Sequence, residues 1–189
     1  MKFEEHTALK APQLKNDNIY LRPTRLSDYE AVKEYRQNID NCRYIRPPDT
    51  DEEVYRIVGE LSKSWKLTQG VWNGLVICLS DDDTAVGEIV FRVEDWQHQR
   101  AELGYRLSDT VAGKGVCTQA AHLLINYLFH EIGFFKVAAK CDPRNIASYK
   151  VMEKLGFKRE AFFKGHYLMG NEWTDQYDYG LLASEWKKK

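Results

Sequence analysis

The chain has 189 residues, 43% hydrophobic and 29% charged, with a formal net charge of -1. That length favours one domain with a core that needs no staple, since a chain of this size buries about 70% of its unfolded surface. The near-zero charge argues against a globally basic nucleic-acid binder, and no apolar run is long enough to span a bilayer. The cysteines, Cys42, Cys78, Cys117 and Cys141, form no C-x-x-C pair and have no zinc spacing with histidine. They read as reduced thiols of a cytoplasmic protein with no metal. The opening Met1-Lys2-Phe3-Glu4-Glu5-His6 has no apolar leader segment.

Residues 1–16 and 187–189 read as loose ends of a single domain spanning 1–189. Ile19-Tyr20-Leu21-Arg22 is a short strand ended by Pro23. Ser27-Asp28-Tyr29-Glu30 has the form of a capping box and opens a helix with Ala31, Val32, Tyr35 and Ile39 on one face. Pro47-Pro48 forbids helix, and Thr50-Asp51-Glu52-Glu53 is a second capping box. Its helix carries Val54, Ile57, Val58, Leu61 and Trp65 at helical spacing. Three strands follow, at 74–79, 85–93 and 101–107. Ala101, Leu103, Tyr105 and Leu107 share one face of the last. The turn at 94–99 puts Trp96 at a tip, either as a contact residue or as a ring folded back on the sheet.

After the polar Ser108-Asp109-Thr110 comes Gly113-Lys114-Gly115, then a long helix. Val116, Ala120, Leu123, Leu124, Tyr127 and Leu128 make its apolar stripe. Gln119, His122, Asn126 and His130 lie opposite, which puts both histidines on the wetter side. Gly133 suits a helix C-terminus. Residues 136–141 form a strand stopped by Asp142-Pro143, and Asn145 opens a helix with Ala147, Val151, Met152 and Leu155 apolar, closed by Gly156. The aromatic-rich remainder reads as a hairpin turning at Gly170-Asn171. Strand, two helices, three antiparallel strands, helix, strand, helix and two strands make an α+β fold. One parallel crossover is expected, from the Leu103 strand to the Val137 strand.

Glycines between a strand and a helix let backbone approach an anion, where the first N–H groups lack partners and the helix dipole is positive. Gly113-Lys114-Gly115-Val116-Cys117-Thr118 has that form. It is neither a Walker loop nor a Rossmann fingerprint, and by itself it reads first as a tight turn. Beside it stand Glu102-Leu103-Gly104-Tyr105-Arg106-Leu107, Asp142-Pro143-Arg144-Asn145-Ile146-Ala147-Ser148 and Glu153-Lys154-Leu155-Gly156-Phe157. With these blocks in this order, the chain resembles the GNAT acyl-CoA-dependent N-acetyltransferases. The spacing is most similar to the branch of ribosomal-protein alanine and serine N-terminal acetyltransferases.

The resemblance implies a mixed, mostly antiparallel central sheet with helices on both faces and a splayed strand pair that holds acetyl-CoA, the co-substrate. It implies cofactor contacts at Leu107, Gly113, Lys114, Gly115, Val116, Cys117, Thr118 and Asn145. Many family members carry a general-acid tyrosine four residues before the glycine of Leu-Gly-Phe, where this chain has Met152. Ser148 is the substitute in the branch and is expected to protonate the departing sulfur.

Glu102 is expected to accept the ammonium proton through water. Its bland alternative is a strand carboxylate facing solvent or paired with Arg100 or Arg106. Cys117, beside a helix N-terminus, is expected to titrate low, yet it reads as packing because direct transfer needs no thiol intermediate. Tyr44, Arg46, His166 and Tyr167 are candidates for the acceptor. The implied partner is a protein or peptide N-terminus acting as the amine, in a monomer or homodimer without nucleic-acid or membrane contacts. The alternatives are a small amine (polyamine, amino acid or antibiotic) or a non-catalytic acyl-CoA sensor.

Overall fold

A computed structural model describes residues 2–80 and 82–186; the terminal lysines 187–189 lie outside them. In chain order the elements are β1 (Ala8–Leu9), β2 (Leu14–Lys15), β3 (Ile19–Arg22), α1 (Tyr29–Gln37), α2 (Ile39–Cys42), α3 (Asp51–Leu61), β4 (Trp65–Lys66), β5 (Trp72–Leu79), β6 (Ala85–Asp95), β7 (Arg100–Leu107), α4 (Val116–Tyr127), β8 (Lys136–Cys141), α5 (Ile146–Lys154), β9 (Lys158–Met169) and β10 (Glu172–Leu182). An eight-stranded sheet runs β2-β3-β5-β6-β7-β8-β10-β9. Its neighbours are antiparallel except β7 and β8, joined in parallel through α4 as the crossover requires.

Alternation along the strands gives the sheet two different faces. On one, α4 packs Val116, Ala120, Ala121, Leu124 and Ile125 against Leu21, Ile89, Phe91, Leu103, Val137 and Ala139, all buried. Over the other lie α1 and α3, which bury Val32, Tyr35, Val54 and Val58 between them. Trp65 closes the main core, with its ring edge-on to Phe91 at 4.9 Å and its Nε1 donating to the Gly74 carbonyl at 3.1 Å.

Several expectations are corrected. Residues 2–16 are not loose: β1 pairs with β4 and β2 with β3. The Ser27 box does not form: Asp28, not Glu30, reaches back before α1, accepting the Arg25 N–H at 2.7 Å, because a 3-10 turn at Leu26–Asp28 precedes the helix. The Thr50 box forms as read, Thr50 N–H donating to Glu53 at 2.7 Å and Glu53 N–H to Thr50 Oγ1 at 3.3 Å. Ile39 is exposed, since α1 ends at Gln37 and Asn38 caps a separate short helix. Trp65 belongs to β4 rather than to the helix before it. Trp96 is half-buried and folded back on the core.

His122 and His130 are not on a wet face. The His122 ring lies 4.9 Å from Trp186, Asn126 Oδ1 accepts Trp186 Nε1–H at 3.4 Å, and His130 Nε2 is buried. Gln119 is covered as well, its Oε1 accepting from Asn16 and Asn18, each at 3.1 Å. Both ends of the chain thus fold over the polar side of α4. In α5 only Met152 is buried. Ala147 and Val151 do not reach the main core because the helix flanks an opening in the sheet.

Candidate active site

β7 and β8 pair only from Arg100↔Lys136 to Leu103↔Ala139. Beyond that each keeps to its other neighbour. Gly104, Tyr105, Arg106 and Leu107 stay on β6, while Lys140 and Cys141 stay on β10. The strands therefore fork, and residues 104–107 present a free backbone edge. A cleft of ≈ 1450 Å³ opens at the fork.

One wall of the cleft is the glycine turn. Gly113 and Gly115 adopt φ +74 and +77, a left-handed conformation that L side chains resist. Nothing lies within 4 Å of where a Gly113 side chain would start, so the turn offers open backbone to a ligand. α4 starts at Val116 with no side-chain cap, leaving the N–H groups of Val116, Cys117 and Thr118 without intrahelical partners. Lys114 is exposed and its Nζ donates to the Thr110 carbonyl at 2.9 Å. Across the fork Asn145 caps α5, its Oδ1 accepting the Ser148 N–H at 3.1 Å. The residues present thus fit a phosphate-bearing cofactor: a positively polarised helix end, open glycine backbone and a nearby lysine.

Alternation splits the chemistry at the fork. On the α4 and α5 side, Tyr105 Oη donates to the Ser148 carbonyl at 2.9 Å and lies 3.2 Å from Ser148 Oγ. Burial raises the Tyr105 phenol above its ordinary range. Burial also pushes Cys117 up to about 12, reversing the expected fall, because a desolvated thiolate costs more than the helix end returns. Cys141 is likewise pushed up to about 12 by burial, then by the charges of Asp142 and Asp178.

On the α1 and α3 side the charges are paired. Glu102 is buried. Its Oε2 accepts from Arg92 Nη2 at 2.7 Å and from Lys140 Nζ at 2.9 Å. Its cations are thus Arg92 and Lys140, not Arg100 or Arg106, because Arg92 stands directly opposite on β6 and Lys140 lies on the neighbouring β8. Burial opposes the Lys140 charge, but Glu102 and Glu94 outweigh it and raise that group above its ordinary value. Deeper, Arg36 binds Glu88 and, at 2.8 Å, Asp49. Arg106 Nη1 stands 3.6 Å from Asp49.

The acceptor candidates lie around the mouth. Tyr44 sits between the guanidinium groups of Arg43 and Arg144, at 5.4 and 5.5 Å. Arg46 pairs with Asp49 at 3.2 Å. His166 and Tyr167 are exposed on β9, where a bulge sets residues 164–166 against Asp175. Gly165 N–H donates to Asp175 Oδ1 at 2.8 Å. All the candidates line the cleft except Lys114.

Three lining residues escaped sequence reasoning: Tyr105, Arg92 and Lys140. Tyr105 alternates with Leu103 and Leu107, so its ring reads as core; its hydroxyl partner lies 43 residues away. The pairing of 85–93 with 101–107 was the available signal for Arg92.

The family model described as an acetyltransferase (GNAT) domain matches residues 18–158. The chain is 32% identical over 168 residues to YnaD, an uncharacterized N-acetyltransferase of Bacillus subtilis (strain 168), covering 89% of this chain and 95% of that one. The crystal structure of a GNAT-family acetyltransferase from Bacillus anthracis superposes with a TM-score of 0.81 at 30% identity, over 92% of this chain and 100% of that chain. A ribosomal protein uS5-alanine N-acetyltransferase of Escherichia coli (strain K12) is 27% identical over 84 residues, 44% of this chain and 43% of its own.

Proposed function

The chain belongs to the GNAT acetyltransferase family and is an acyl-CoA N-acyltransferase, and from that premise we propose that it acetylates the N-terminal α-amino group of a protein, such as a ribosomal protein, using acetyl-CoA. Residues 1–189 act as one cytoplasmic acetyltransferase domain. The backbone of residues 113–118, with Lys114, holds the pyrophosphate. The free edge at 104–107, ending at Leu107, holds the pantetheine, with Asn145 on its far side. Acetyl-CoA supplies a thioester, and the amine attacks its carbon directly. A backbone N–H of the free β7 edge polarises the carbonyl, and Ser148 gives a proton to the departing sulfur. Tyr44, Arg46, His166 and Tyr167 contact the acceptor.

One observation carries the choice of amine: among the described residues that line the cleft, every buried carboxylate is ion-paired. Glu102 and Glu88 are each held by cations. Among the described lining residues the one imidazole is His166, exposed on β9. An α-amino group, with a pKa of about 7.7–8.0, is already about a tenth neutral at pH 7, whereas a lysine at about 10.4 is not. Glu102 Oε1, which has no described hydrogen-bond partner, suffices to take the ammonium proton through water before attack. The E. coli relative named for alanine N-acetylation of a ribosomal protein supports the same class.

The test is CoA release from acetyl-CoA with peptides bearing free Ala or Ser N-termini, set beside spermidine, free amino acids and an aminoglycoside. Turnover is expected with the peptides. Faster turnover of a small amine overturns the assignment, and acetyl-CoA binding without turnover of any acceptor identifies a sensor.

A further inference from the structure

We propose that Tyr105 is the positioning residue for Ser148, holding the serine hydroxyl at the fork ready to meet the departing sulfur. The inference rests on Ser148 being the proton donor, as proposed above. Tyr105 has one hydroxyl proton, and its Oη lies 2.9 Å from the Ser148 carbonyl and 3.2 Å from Ser148 Oγ. A carbonyl only accepts, so the phenol proton goes to it, and the second bond is then donated by Ser148 Oγ–H to Tyr105 Oη. That bond selects one of three staggered serine rotamers. It also competes with the local bond a helical serine otherwise makes to the carbonyl one turn back. The Ser148 N–H is held by the Asn145 cap, while Tyr105 meets both the Ser148 carbonyl and its hydroxyl.

Tyr105 is not itself the acid. Its single proton is committed to the Ser148 carbonyl at 2.9 Å, which leaves Ser148 Oγ–H as the proton free to turn to sulfur. Bonds and protons balance without it. Nitrogen bonds to the acyl carbon, the carbon–sulfur bond breaks with its electron pair going to sulfur, and sulfur takes the Ser148 Oγ proton. Ser148 regains a proton through water from the nitrogen, which ends as a neutral amide. As Oγ–H turns from Tyr105 to sulfur, the Tyr105 hydroxyl is free to turn to Oγ and support the charge that gathers there. Tyr105 starts and finishes protonated.

A double-mutant cycle tests this, with kcat and KM for acetyl-CoA measured on Tyr105→Phe, Ser148→Ala and the double variant at saturating peptide. Tyr105→Phe should lower kcat about five- to tenfold, the worth of one hydrogen bond, with KM within about twofold. In the Ser148→Ala background the same change should do nothing further. An unchanged kcat in Tyr105→Phe, a rise in KM alone, or a double variant that multiplies the two single losses overturns the proposal. Unchanged kcat in Ser148→Ala instead removes Ser148 as donor and Tyr105 with it. A silent Tyr105→Phe beside a slow Ser148→Ala removes Tyr105 only. Should Tyr105→Phe melt below the assay temperature, 3-fluorotyrosine at 105 keeps the ring and hydroxyl. It must shift kcat in the parent and not in Ser148→Ala; an equal shift in both, or none, is the contrary result.

Discussion

The two faces of β7 are built on opposite electrostatic plans. Leu103, Tyr105 and Leu107 look toward α4 and α5, among neutral groups that burial keeps neutral: a phenol and two thiols. Glu102 and Arg106 look toward α1 and α3, among charges that burial keeps paired. The first plan suits a departing sulfur, which needs a proton from a neutral donor. The second suits an arriving amine, which sheds a proton beside a carboxylate already paired with cations. In the proposed reaction one strand with a period of two separates the two ends.

The largest test removes the cofactor's seat and leaves both faces. Acetyl-CoA at a hundredfold excess over Kd should stabilise the parent by about 2.7 kcal/mol, and Gly115→Asp should abolish that gain. It places a side chain at φ +77 and a negative charge at the turn proposed to hold the pyrophosphate. A retained thermal shift would take the glycine turn out of the account.

The next breaks the charged face. Glu102→Gln leaves Arg92 and Lys140 without their shared carboxylate oxygen and should cost about 1–3 kcal/mol, read by urea unfolding. It should also lower kcat/KM without touching acetyl-CoA binding. Full stability in Glu102→Gln would mean that the pairing is idle.

The smallest effect probes the neutral face. Cys117 and Cys141 are pushed up to about 12, so folding favours their thiol forms. That contribution is fully present below the ordinary thiol value of about 8.5 and fades as pH rises through the folded one. A disulfide reagent should therefore find no fast-reacting thiol in the native protein from neutral pH to about 8.5, and four after denaturation. A fast native thiol assigned to Cys117 would reopen a covalent route.

The legible part of this molecule is what depends on local pattern. Alternation at 101–107 yields both faces, Gly113 and Gly115 yield the turn, and Asn145 yields the α5 cap. Distant pairing was not legible. Both chain ends lie over the polar side of α4, Tyr105 meets Ser148, and Lys140 meets Glu102 only once β7 and β8 are neighbours. The helix-end rule also misled at Cys117. It is a statement about exposed first turns, and at this one desolvation is the larger effect.

The central claim, an amine already partly neutral meeting a face whose described buried carboxylates are ion-paired, is tested most directly by kcat/KM against pH. Two peptides of one sequence are compared from about pH 6 to 9, one with a free Ala or Ser N-terminus, the other blocked there and offering only lysine. The free peptide should be the faster throughout, with kcat/KM rising through the α-amino pKa and then levelling. Faster turnover of the blocked peptide at neutral pH, or a profile for the free peptide that ignores the α-amino pKa, would contradict the account.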